Sequence, residues 1–240
     1  MKSSNMFLHT HPYEPFLFKD ATKLIVGTLP PPRFTLGDLK EGDVDFCYGS
    51  RDGQLWPILD RIFGLKLDFE TTEKAVRQRR GFLMERKIGI CDIVHSAERS
   101  KIDASDLGME NIVLRDMFSY LQQYSQVDTL LFTGGNSKNG PEYFFRKYIK
   151  EHGLKLELVS NEVPRIHQFV LPNTKGAHVL GSNLVNSSGR KRVIRTVSLI
   201  APSGAANRAV GSLAAYKKMK LKNPEINTID FRVLQYKKYF

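Results

Sequence analysis

Residues 45–57 read DFCYGSRDGQLWP and hold two carboxylates, Asp45 and Asp52, beside Arg51, aromatic side chains and the chain's only tryptophan, Trp56. A carboxylate can polarise water, an arginine can bind phosphate, and an aromatic face can stack on a nucleobase. Asp52 also fits as the N-cap of a following helix, and on these residues alone both roles stand. A third carboxylate, Asp92, lies in the apolar run 87–94 (KIGICDIV). An unpaired charge is costly there, so it needs a ligand N–H, a neighbouring arginine or a backbone group.

Three further loops carry residue types that suit a ligand. Residues 27–34 (GTLPPPRF) combine Gly27, which permits close approach, with three prolines that stiffen the path. Residues 133–140 (TGGNSKNG) offer Asn136 and Lys138 near a helix start, where backbone amides can hold phosphate. They lack the G-x-x-x-x-G-K-[ST] spacing of a P-loop, and a plain connecting turn fits them equally. Residues 201–209 (APSGAANRA) place Ser203, Gly204, Asn207 and Arg208 where they could cap a helix or contact phosphate oxygens.

These loops need strands and helices to hold them. Four short apolar runs predict buried parallel strands at 22–27, 87–94, 127–133 and 193–200, and each informative loop follows a strand or lies just beyond one. Helical spacing appears at 55–63, 71–84, 111–120, 141–150 and 207–220. The alternation predicts an α/β fold, a three-layer α/β/α sandwich around a central four-stranded, mainly parallel sheet. In such folds ligands bind outside the carboxyl ends of the strands. The long polar stretch 154–192 fits less well and reads as an inserted hairpin or loop in a single domain of residues 1–240.

The chain has 240 residues, with 36 Lys and Arg against 25 Asp and Glu, a formal net charge of +11. That length is ample for a core, and 41% apolar residues exclude a disordered chain. Its N-terminus lacks the apolar region of a signal peptide, and no run suits a membrane span, so a cytoplasmic protein is expected. Two cysteines exclude a disulfide framework, a four-thiolate zinc site or an iron–sulfur cluster built by this chain alone. The positive charge favours a polyanionic partner, with nucleic acid ahead of membrane. Basic clusters at Arg190, Lys191 and Arg192 and at Lys217, Lys218, Lys220 and Lys222 fit either a phosphate-contacting face or a solvated surface.

Taken in order, GTLPPPRF, YGSRDGQLWPIL, GICDIVHSAERSKIDAS and APSGAANRA resemble the motifs of the uracil-DNA glycosylase superfamily, nearest its mismatch-type and hypoxanthine-type branches. The resemblance spans roughly residues 22–215 apart from 154–192. It implies hydrolysis of the N-glycosidic bond of a deaminated base flipped out of DNA, without metal or organic cofactor, by a monomer acting in base excision repair. The position before Pro30 holds a water-activating residue in many relatives and is Leu29 here. Hypoxanthine-type relatives also lack a polar residue there and use an Asn that aligns with Gly53 here; Asp52, one residue earlier, is read as its replacement and the catalytic carboxylate, with Asp45 in reserve. Asp92 falls where relatives read the base edge; Gly27 belongs to the same pocket, with Phe34, Phe46 and Tyr48 as stacking candidates. Ser203 and Gly204 match phosphate-contacting positions, joined by Asn207, Arg208, Asn136 and Lys138. Ala201 replaces a His or Asn donor of some relatives. Two other readings stand beside this one. One is a DNA-binding module without chemistry. The other is a small-molecule nucleotide enzyme, which the missing P-loop and G-x-G-x-x-G motifs disfavour.

Overall fold

The computed structural model describes residues 6–103, 105–171 and 191–240. The four apolar runs form the parallel strands of one sheet: β2 (Lys23–Val26), β3 (Ile88–Ile90), β6 (Thr129–Phe132) and β9 (Arg192–Ser198). Ile25 pairs with Ile90 on one side and Leu131 on the other, and Phe132 pairs with Ser198. The spatial order is β3-β2-β6-β9. The order reverses between the first and third of these strands, so a crevice opens beyond the carboxyl ends of β2 and β6.

Successive strand residues point to opposite faces. Leu24, Val26, Leu130 and Phe132 enter a cluster with side chains of α4 (Met117–Gln123) and α5 (Pro141–Glu151). Ile25, Leu131 and Val197 enter a second cluster with α2 (Leu55–Phe63), α3 (Glu73–Glu85) and α8 (Thr228–Tyr236). Both faces are covered, which is why these runs show no polar alternation. Each fully buried Leu, Ile or Phe contributes about 1.5–3 kcal/mol relative to exposure. The molecule is thus mixed α/β, with a largely parallel sheet flanked by helices.

The sheet has six strands rather than the four expected. β8 (Arg165–Leu171) runs antiparallel to β9 in unbroken register, from Arg165 against Ser198 to Leu171 against Arg192, and β7 (Glu157–Ser160) closes that edge. The first part of the 154–192 stretch is therefore a hairpin that widens the sheet. Its alternating buried and exposed residues made it look polar. Residues 172–190, including Arg190, lie outside the described residues.

Other boundaries also move. The run 87–94 is not one strand: after Ile90 the chain leaves the sheet, and β4 (Val94–Arg99) joins β1 (Phe7–Thr10) and β5 (Met109–Leu114) in a separate antiparallel sheet ordered β1-β4-β5. Part of the helix expected at 111–120 is thus strand. Ile112 and Val113 are β-branched and suit a pleated surface. The helix begins only after Asp116, whose Oδ1 accepts the Ser119 N–H at 3.1 Å. The helix expected at 207–220 breaks at Leu213 (ψ 130°) into α6 (Asn207–Ser212) and α7 (Ala214–Lys222). A short helix, α1 (Pro32–Leu36), starts within the proline loop. Among the described residues no helix is long and apolar enough to cross a membrane.

Candidate functional site

A cavity of about 700 Å³ lies at the strand reversal. Four separate stretches line it: Thr28–Pro31 with Arg33 after β2, Tyr48–Ser50 with Asp52 and Gly53 ahead of α2, Asp92 after β3, and Ala201–Ala205 after β9. Thr133, after β6, and Ser105 and Asp106, between β4 and β5, complete the wall. The volume falls in the range of small-molecule sites.

The inner wall is built around Asp92. Its Oδ1 accepts the Gly27 backbone N–H at 3.1 Å, and its Oδ2 lies 2.9 Å from His11 Nε2. His11 Nδ1 accepts the Tyr13 N–H at 3.1 Å, which places the ring proton on Nε2, facing the carboxylate. Asp92 thus has the partners that its burial demands, one from the backbone and one from the N-terminal segment. Beside it, the Tyr48 hydroxyl pairs with Thr133 Oγ1 at 2.9 Å, and burial pushes that phenol well above its ordinary titration range. Gly27 explains how these groups fit. A β-carbon there would lie 2.0 Å from the Tyr48 hydroxyl and 2.6 Å from Asp92 Oδ1.

Asp43 ties the first two loops together. Fully buried, it accepts Arg33 Nε at 2.7 Å and Arg33 Nη2 at 2.8 Å, with backbone N–H groups of Arg51 and Lys40 at 2.8 and 2.9 Å. Burial opposes ionisation, but the Arg33 and backbone donors outweigh it and hold the carboxyl at about 2. The folded value lies below the unfolded one near 4, so this stabilisation is present above about pH 4 and is lost as pH falls through 2. Asp43→Asn should therefore lower stability by about 2 kcal/mol at neutral pH and by progressively less toward pH 2, read from urea midpoints across that range.

The third side of the cavity is held by Arg232, which is fully buried. It donates to Ala201 O at 2.9 Å, Ser203 O at 3.0 Å and Asn207 Oδ1 at 2.9 Å. The 201–205 loop also meets the 50–54 loop directly, through Gln54 N–H to Pro202 O at 2.9 Å and a Gly53–Ser203 bridge.

The expected site residues divide as follows. Asp52, Asp92, Tyr48, Ser203 and Gly204 line the cavity, and Gly27 backs its inner wall. Asp52 does not cap α2; Gln54 occupies that position, without a side-chain cap bond. The Asp52 side chain is 74% exposed and lies 3.5 Å from Arg33 Nη2. Asp45 lies outside the cavity and accepts the Tyr13 hydroxyl at 2.8 Å. Phe34 and Phe46 do not reach the cavity either. Phe34 is buried beneath the Arg33 guanidinium, and Phe46 packs against Phe16 and Trp56 in the second cluster. Their positions follow apolar packing rather than a stacking role. Asn207 anchors Arg232 and Thr228 instead of facing the cavity. Arg208, Asn136 and Lys138 are exposed outside the lining.

Asp106, and His11 behind Asp92, carried no signal of their own, while Thr28 and Thr133 stood only as members of the loops 27–34 and 133–140. Asp106 follows the quoted DAS triplet, in a stretch with no periodicity to mark which carboxylate faces inward. Its Oδ1 accepts the Thr28 hydroxyl at 2.9 Å. Among the described residues no group of three His, Cys, Asp or Glu side chains is arranged to hold a metal ion. Both cysteines are free and buried, and burial pushes their thiols up, away from the nucleophilic thiolate form. The cavity thus offers a buried acceptor, hydroxyls and carboxylates near an apolar rim of Leu29, Pro30 and Ala201, a set suited to holding a planar polar ligand and directing water. Compared with known protein-family models, curated proteins and solved structures, the chain matches none.

Proposed function

We propose that the protein is a monofunctional DNA glycosylase resembling the uracil-DNA glycosylase superfamily, a three-layer α/β/α sandwich that removes a deaminated base from DNA. The observation that carries this reading is the meeting of the four motif loops around one cavity, with Asp92 fixed as a hydrogen-bond acceptor in its wall. A flipped uracil, hypoxanthine or xanthine would present a ring N–H to that carboxylate, and Tyr48 and Gly27 would shape the base-binding wall. Ser203 and Gly204 would meet a DNA phosphate at the rim. Arg208, Lys138 and Asn136 would contact the backbone farther out, adding salt-dependent affinity. Asp52, at the cavity wall beside Arg33, would stabilise positive charge as the sugar becomes oxocarbenium-like. The protein would act as a monomer in the cytoplasm, with no cofactor.

The test is single-turnover incubation of excess protein with duplex and single-stranded oligonucleotides carrying each lesion, followed by alkali to cut abasic sites. Asp52→Asn should slow cleavage at least tenfold, about 1.4 kcal/mol, while sparing DNA affinity. An unchanged rate would remove Asp52 from the chemistry.

One observation favours a second reading, a DNA-binding protein without chemistry. Leu29 packs against the first hydrophobic cluster and Ala201 offers no side-chain donor, so two strand-end positions give apolar wall alone. Salt-sensitive DNA binding that leaves every glycosidic bond intact would select it.

A further inference from the structure

We propose that Asp106 is the general base of this site, taking the proton from the water that attacks C1′ of the deoxyribose; this rests on the glycosylase reading. Asp106 lines the cavity with Thr28, in the loop that follows β2. One carboxylate oxygen, Oδ1, is fixed by the Thr28 hydroxyl at 2.9 Å. Among the described residues no side chain or backbone group donates to Oδ2. That leaves an acceptor for a water molecule.

The backbone around Asp106 is clamped, as a group that must hold a water in register requires. Arg99, almost fully buried in β4, donates Nη1 to Ser105 O at 2.7 Å and Nε to His9 Nδ1 at 2.8 Å. Asn139, ahead of α5, donates Nδ2 to Asp106 O at 2.8 Å. Ser105 N–H in turn bonds Asp103 Oδ1 at 2.9 Å. Arg99 at the end of the adjacent strand, with Thr28 and Asn139 from loops distant in sequence, thus converges on one short turn in the cavity wall.

Its surroundings differ from those of Asp52. The charged groups that face Asp106 are Arg99 from β4 and Asp92 after β3; the neighbours after β2 and ahead of α5, Thr28 and Asn139, are neutral. Asp103, which lies 3.9 Å from Arg99, draws part of that cation's field away. Burial pushes the Asp106 carboxyl up to about 6, against the opposing pull of Thr28 and Arg99. A base that titrates near the working pH is suited to proton transfer. Asp52 stands largely in water beside Arg33, which suits charge stabilisation instead. Two carboxylates in contrasting environments divide the roles of proton acceptor and electrostatic partner.

The step balances as follows. A water held on Asp106 attacks C1′ while the C1′–N bond breaks. The bonding pair leaves with the base, the water proton passes to Asp106, and the departing anion takes a proton from solvent. Loss of that proton from Asp106 to bulk water resets the site.

The experiment is a set of single-turnover base-release rates from pH 4.5 to 8 for the wild type, Asp106→Asn and Asp52→Asn, with DNA affinity measured in parallel. The wild-type rate should rise through about pH 6 and then level. Asp106→Asn should fall at least 100-fold and lose that rise while still binding DNA, whereas Asp52→Asn should keep the rise at a lower rate. Base release by the wild type together with an unchanged Asp106→Asn rate, or an unchanged pH profile, would overturn the assignment and leave the glycosylase reading standing. No release by the wild type would overturn both.

Discussion

Replacing Gly27 with alanine should cut base release at least 100-fold while the protein stays folded. The added methyl would sit 2.0 Å from the Tyr48 hydroxyl and 2.6 Å from Asp92 Oδ1, well inside contact distance. Something must move, and each available movement damages the cavity. If Tyr48 swings out, its bond to Thr133 is lost and the methyl fills part of the inner wall. If Asp92 turns, it gives up the Gly27 N–H and its alignment with His11. A 100-fold loss corresponds to about 2.7 kcal/mol of transition-state stabilisation. Tyr48→Ala removes the closest contact, so the double variant should show less than the sum of the two single losses. The measurement is single-turnover kinetics on the lesion oligonucleotides, with thermal melts to confirm folding. A Gly27→Ala rate equal to wild type would mean that this wall does not hold the base.

The largest stability effect should come from Arg232→Met, a loss on the order of 3 kcal/mol. Arg232 is fully buried, and burial pulls its pKa down because a guanidinium removed from water must be solvated by the protein. Ala201 O, Ser203 O and Asn207 Oδ1 supply that solvation. Methionine keeps much of the volume but leaves Ala201 O without a donor and strips one donor each from Ser203 O and Asn207 Oδ1, which keep only the Ala206 N–H and the Thr228 hydroxyl. For a chain of this size the melting temperature should fall by about 10 °C. Because two of the acceptors belong to the 201–205 loop, the variant should also bind DNA more weakly at temperatures where it remains folded. Arg232→Lys should recover only part of the loss, since an ammonium cannot span the same fork of acceptors. A melting temperature unchanged by Arg232→Met would contradict this account of how the loop is held.

The parallel strands were legible because double-sided burial writes unbroken apolar runs, and their order in sequence already placed Gly27, Asp92, Thr133 and Ala201 at strand ends. The hairpin of β7 and β8 was harder to see. Its exposed residues dilute the apolar signal, and only pairing with β9 makes it a strand. The stretch 109–114 misled for a related reason, because Ile112 and Leu114 match a helical spacing by chance while the partner strand β4 decides the outcome. At the cavity, Asp92 was marked by its own isolation among apolar neighbours. Asp106 and His11 were not marked, because what defines them is contact across long separations: Thr28 with Asp106, and His11 with Asp92. Phe34 and Phe46 show the opposite error, since an aromatic near a motif looks the same in sequence whether it stacks on a ligand or fills a core.

The central claim is that this cavity breaks a base–sugar bond and leaves the DNA backbone whole. Mass spectrometry of the products, after excess protein meets an oligonucleotide carrying uracil, hypoxanthine or xanthine, tests it most directly. The account predicts the free base together with a full-length strand lighter by that base and heavier by one water. An unaltered oligonucleotide for all three lesions at long times, or release of a nucleotide in place of the free base, would contradict it.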